Sequence, residues 1–108
     1  MFNRKTAIDI IKEFIEACNE RGITFREVIL FGSVSRNETH KYSDIDVALV
    51  SDSFSGMPYK DWSMLTPVKT SKRKFMAIEP HPFSIADFEE GDPFIDEIKR
   101  TGITVSNE

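Results

Sequence analysis

The stretch FGSVSRNETHKYSDIDVALV, Phe31–Val50, decides how this chain is read. Its first residue closes Glu27-Val28-Ile29-Leu30-Phe31, a short β-branched segment that grows apolar toward its end and predicts a strand. Gly32-Ser33 ends that strand, where a backbone turn with unhindered amides would be useful. Eleven positions after the serine, Asp44-Ile45-Asp46 opens a second apolar run, Asp44–Val50, which predicts another strand. Residues two apart on a pleated strand share a face, so Asp44 and Asp46 are expected to project together, roughly 6.6 Å apart along the strand. Carboxylates so placed can share divalent cations, and Mg²⁺ is held by one or two carboxylates plus substrate phosphate oxygens. A phosphate cradle followed by a metal-holding pair implies nucleotide chemistry.

This spacing resembles the minimal nucleotidyltransferases of the DNA polymerase beta superfamily, whose motif runs G-S-x-A-R-G, a short loop, then S-D-x-D. Gly32, Ser33, Arg36, Ser43, Asp44 and Asp46 match it. Ser35 stands where alanine is usual, a small change in a tight turn. Asn37 stands where the second glycine is usual, and asparagine visits left-handed backbone conformations more readily than most residues. The resemblance covers nearly the whole chain. It implies an α/β domain with a small mixed sheet and flanking helices, and Mg²⁺-dependent transfer of AMP from ATP to a hydroxyl. Two ions about 3.5–4 Å apart would clamp the attacking and leaving oxygens. Asp44 and Asp46 would bridge them, while Gly32, Ser33, Arg36 and Ser43 would meet the nucleotide. Arg36 offers a planar donor fork to a phosphate.

The family also uses a third carboxylate on a later strand. Glu79 is the candidate here, as general base or as a further metal ligand. Asp87, Glu89 and Glu90 are the next acids along the chain. His81 shares the face of Glu79 and could contact acceptor or phosphate, whereas His40 reads as a solvent-exposed residue of the motif loop. Relatives of this size pair with a small helical HEPN-type protein and act as antitoxins by placing AMP on a tyrosine of that partner. Two other functions fit the same residues. One is transfer to a small molecule such as an aminoglycoside, with a dimer partner completing the site. The other is a nucleotide- or partner-binding module without catalysis.

Composition sets the outer limits. A chain of 108 residues with 40% hydrophobic and 30% charged residues predicts one globular domain over 1–108, with nine phenylalanines as bulky core material. No apolar run is long enough for a membrane span, and the opening residues do not read as a signal peptide. The lone Cys18 fits a reducing cytoplasm. A formal charge of −4 argues against broad nucleic-acid binding, since such domains are usually basic.

The remaining elements follow from periodicity. Ala7, Ile8, Ile11, Phe14, Ile15 and Cys18 recur at three- and four-residue spacing, predicting an amphipathic helix over 5–21 capped near Gly22. Cys18 on that stripe reads as a core residue. Ser51–Gly56 reads as a polar turn. Pro58–Thr66 predicts a short helix with Tyr59, Trp62 and Leu65 on one face, stopped or kinked by Pro67. Thr70–Lys74 reads as an exposed basic loop. Lys74–Phe83 predicts a third strand, and Pro80 and Pro82, lacking N–H groups on the same side, place it at the sheet margin. Pro93–Arg100 predicts a last helix between Asp92 as N-cap and Gly102 as C-cap. Ile103–Val105 reads as a final short strand.

Overall fold

The apolar stripe of the opening segment folds as helix α1 (Arg4–Glu20) in a computed structural model that describes residues 3–36 and 44–105. Asn3 caps it, its side chain accepting the Thr6 amide at 2.7 Å. Gly22 follows the helix end at φ +82°, the left-handed conformation that terminates helices. Ala7, Ile10, Ile11, Phe14, Ile15 and Cys18 are buried; Ile10 takes the core place expected of Ile8, which is half-buried. Burial pushes the Cys18 thiol up to about 12, a rise that Arg21 opposes only in part, so the thiol is protonated and inert at neutral pH.

Among the described residues, four strands form one mixed sheet: β1 (Glu27–Phe31), β2 (Ile45–Ser51), β3 (Ile78–Ser84) and β4 (Ile103–Thr104), in the order β3-β2-β1-β4. β1 runs antiparallel to β2 and β4, while β2 and β3 are parallel. Four-residue α2 (Gly32–Ser35) follows β1 directly. Helix α3 (Pro58–Lys69) joins α1 on one face, where Val28, Leu30, Val47, Leu49 and Ile78 meet Phe14, Leu65 and Val68. Helices α4 (Ile85–Glu90) and α5 (Pro93–Thr101) cover the other, burying Phe88, Ile95 and Ile98 against Ile29, Ala48 and Val50. This mixed sheet with flanking helices is the architecture expected from the sequence. Among the described residues, no helix is long and apolar enough to cross a membrane.

Three expectations need correction. The third strand begins at Ile78, after a 3₁₀ turn over Arg73–Ala77. Had the strand begun at Lys74, Phe75 would share the face of Glu79; the turn instead delivers its ring to the α1 side, edge-on to Phe14 at 5.3 Å. Pro67 does not stop α3, which continues to Lys69 because Leu65 and Val68, one turn apart, are both fully buried. Its missing N–H falls on an exposed stretch beside Ser63, where water can serve the freed carbonyl. Finally, Tyr59 and Trp62 do not share the buried face of Leu65: they are 87% and 45% exposed. Asp61 lies on that face instead. It accepts the Ser55 amide at 2.7 Å, the Ser55 hydroxyl at 2.9 Å and the Gly56 amide at 2.9 Å, tying the turn after β2 to the start of α3.

Helix α4 is absent from the sequence reading. Its signal is Ser84-x-x-Asp87, a capping-box pattern; in the structure the Ser84 hydroxyl accepts the Asp87 amide at 3.1 Å. The expected caps of α5 are present, with the Asp92 carboxylate accepting the Ile95 amide at 2.8 Å and the Gly102 amide donating to the Ile98 carbonyl at 2.8 Å.

Candidate functional site

Strand register brings together residues far apart in the chain. The antiparallel β1–β2 pairing sets Phe31 beside Asp46, so the Gly32–Ser33 turn that follows β1 adjoins the beginning of β2. The parallel β2–β3 pairing sets Glu79 beside Asp46 and His81 beside Ala48. Because residues two apart share a face, Asp46, Glu79 and His81 stand on one side of the sheet, at the end where β1 turns into α2. Each offers a ligand atom, and these atoms all lie within 4.8 Å of one another.

Gly32 fits closely against this group. Its φ is +77°, and a Cβ built there would lie 2.5 Å from Asp46 Oδ2. Glycine therefore serves two purposes: it takes a backbone conformation that other residues adopt at a cost, and it leaves the space that the Asp46 carboxylate fills. Ser35 explains how the turn tolerates its departure from alanine. The residue is buried, and its hydroxyl donates to the Gly32 carbonyl at 2.7 Å, while its own carbonyl accepts from Arg4 at 2.7 Å. Gly32→Ala is expected to destabilise the fold by about 1–2 kcal/mol, the cost of a left-handed conformation for an L-residue, and to displace Asp46. Chemical denaturation would measure the first effect. Loss of divalent-metal binding would report the second, and wild-type metal affinity in this variant would refute the close approach.

Asp46 is about one quarter exposed. The Nε2 of His81 stands 3.4 Å from its Oδ1. The imidazole is held by aromatic neighbours, its centroid 5.0 Å from that of Phe31 and 6.0 Å from that of Phe94. Asp44 does not lie in the strand, which begins at Ile45, and it is not one of the three clustered groups. It is exposed, and with Glu79 and His81 it lines an open groove of about 690 Å³. That groove follows the β3 margin from Tyr59, Trp62 and Met76 on one side to Phe94 on the other.

Among the remaining candidates, Ser33 is half-buried at the start of α2 and Arg36 is exposed just past its end, its amide bonded to the Ser33 carbonyl at 3.2 Å. Ser43, with Asn37 and His40, lies outside the described residues. Asp87 and Glu90 stand away from the cluster, lining a separate cavity of about 300 Å³ with Asp61 and Asp92. Glu89 faces Arg26 at 3.5 Å.

The donor set suits a divalent cation. Two carboxylates and an imidazole that already converge need little movement to meet on one ion.

Comparison with known proteins agrees with this architecture. No curated protein sequence matches the chain. A crystal structure of a candidate nucleotidyltransferase from Sulfolobus solfataricus is similar in fold, with a TM-score of 0.65 over 94% of this chain and 80% of that one, at 18% identity. The model of the nucleotidyltransferase domain matches residues 11–100, a span that runs from the middle of α1 to the end of α5 and includes the Gly32 turn, Asp46 and Glu79. The chain thus belongs to the nucleotidyltransferase domain family.

Proposed function

We propose that this nucleotidyltransferase domain moves AMP from ATP to a hydroxyl of another protein, a helical partner of HEPN type, and that it acts as the antitoxin of that pair. The observation that favours a protein acceptor is the setting of the acids. Tyr59, Trp62, Met76 and Phe94 are all about half-exposed or more, and all four line the groove that contains Asp44 and Glu79. Single exposed apolar residues are ordinary, whereas several around one cleft mark a surface that something covers. A protein that brings its own apolar side chains would cover it while presenting a hydroxyl to Glu79.

In this reading, Gly32 and Ser33 let the backbone approach the triphosphate closely, and Arg36 meets a phosphate with its planar fork. Asp46 and Glu79, with Asp44 at the rim, would hold Mg²⁺, which when bound supplies charge neutralisation at the phosphate oxygens. Glu79, which borders the groove, would accept the proton of the acceptor hydroxyl.

A small cationic acceptor is the second reading, favoured by the net charge of −4 and by two carboxylates at the groove wall. One experiment separates the two. The protein is incubated with labelled ATP, Mg²⁺ and, in parallel, a purified HEPN-type partner or an aminoglycoside panel, followed by mass spectrometry. A gain of the mass of AMP on the partner is expected, lost in Asp44→Asn and Asp46→Asn. Labelling of the small molecules alone would reject the protein acceptor. Nucleotide binding with no labelled product in either arm would leave a binding module.

A further inference from the structure

We propose that His81 is a nitrogen ligand of the metal site and that it tilts the site's preference from Mg²⁺ toward Mn²⁺. The inference rests on the metal-dependent reading above but concerns a residue to which that reading gives no metal role. Three features of the structure carry it. His81 occupies the same face of β3 as Glu79, two residues on, and the three side chains of Asp46, Glu79 and His81 bring their ligand atoms within 4.8 Å of one another. Its ring is pinned edge-on against Phe31 at 5.0 Å, so its direction is set by packing and not by solvent. The separation of 3.4 Å between His81 Nε2 and Asp46 Oδ1 is longer than a well-formed charge-assisted hydrogen bond. Adjacent ligands on one ion stand about 3–3.5 Å apart, given metal–ligand lengths near 2.1 Å.

The chemical consequence follows from donor type. Sites made of carboxylates and water suit Mg²⁺, a hard ion that gives up its water reluctantly. An imidazole in the set raises affinity for first-row transition ions along the Irving–Williams order, in which Mn²⁺ is the first member. Neutral imidazole is the ligating form of a histidine. Asp46 and Glu79 supply the hard oxygens that keep the site open to Mg²⁺, and His81 supplies the bias.

The test uses the metals alone, without nucleotide, on the full chain. Mn²⁺ binding is followed by electron paramagnetic resonance, with Mg²⁺ as competitor, in wild type and in His81→Phe. Phenylalanine preserves the ring packing against Phe31 and Phe94, and circular dichroism checks folding. Wild type is expected to bind Mn²⁺ about tenfold more tightly than Mg²⁺, a preference that falls below about threefold in His81→Phe. Electron spin-echo modulation should show an imidazole ¹⁴N on bound Mn²⁺ in wild type and lose it in the variant. Absence of that signal in wild type overturns the proposal. So does its persistence in His81→Phe, since the chain's only other histidine is His40. An equal loss of both metals in the variant overturns the selectivity. Because no nucleotide is present, a failure of AMP transfer leaves this result standing, and transfer supported by Mg²⁺ without a ¹⁴N signal would reject the ligand assignment alone.

Discussion

Glu79→Gln is expected to lower nucleotidyl transfer roughly 10²–10⁴-fold, the range for losing a positioned base, while triphosphate binding stays nearly intact. Glutamine keeps the length and planar end of the side chain and removes only its charge and basicity. Glu79 is exposed at the groove wall, so the substitution leaves no buried group without a partner. Its neighbour across the parallel pair is Asp46. Single-turnover kinetics with the labelled acceptor would measure the fall, and a nucleotide-induced rise in melting temperature would report binding separately. Near-normal transfer would sink the assignment. Asp87 and Glu90 could not then take its place without rearrangement, since they line a different cavity. The module without catalysis would become the better reading.

The largest stability effect is expected at Phe75. The side chain is fully buried in the turn before β3, at right angles to Phe14, with the Lys72 ammonium 5.7 Å from its ring centroid. Phe75→Ala removes a ring from the core between α1 and the sheet and leaves a cavity, a change that destabilises by about 3–5 kcal/mol. Against a total stability of only about 5–15 kcal/mol for native proteins, much of the chain's margin would go. Phe75→Leu fills most of that space and should cost less than Phe75→Ala. Urea denaturation of the two variants gives the comparison, and a loss below about 1 kcal/mol for alanine would mean that the turn collapses onto the gap.

Phe75 also illustrates what sequence could and could not convey. Glu27–Phe31 and the apolar body of β2 were legible because each is a short β-branched run, bounded on its inner side by a distinctive turn or acid pair. The place of β3 at the margin was legible from Pro80 and Pro82. Its first residue was not, since Phe75 and Met76 are as compatible with a strand as with a turn, and only the position of Phe14 decides which face Phe75 must reach. The buried role of Asp61 is not legible for a related reason. An acidic residue in the first turn of a helix reads as solvated, and nothing local says that the Ser55 and Gly56 amides fold back onto it. Within the site, the face shared by Glu79 and His81 follows from alternation alone. Their approach to Asp46 depends on a parallel register between segments more than thirty residues apart, which neither segment specifies by itself.

The same marginal position of β3 bears on solubility and on how any partner can bind. An outermost strand offers unpaired backbone groups to passing chains and is a common starting point for aggregation. On β3, Pro80 and Pro82 leave the outward edge with carbonyls and without the donors needed to continue a ladder. A second molecule cannot extend the sheet by strand addition there, so recognition along that edge must run through side chains. Glu79 can therefore lie at the rim of the molecule, reachable from solvent, without its strand becoming a template for polymerisation.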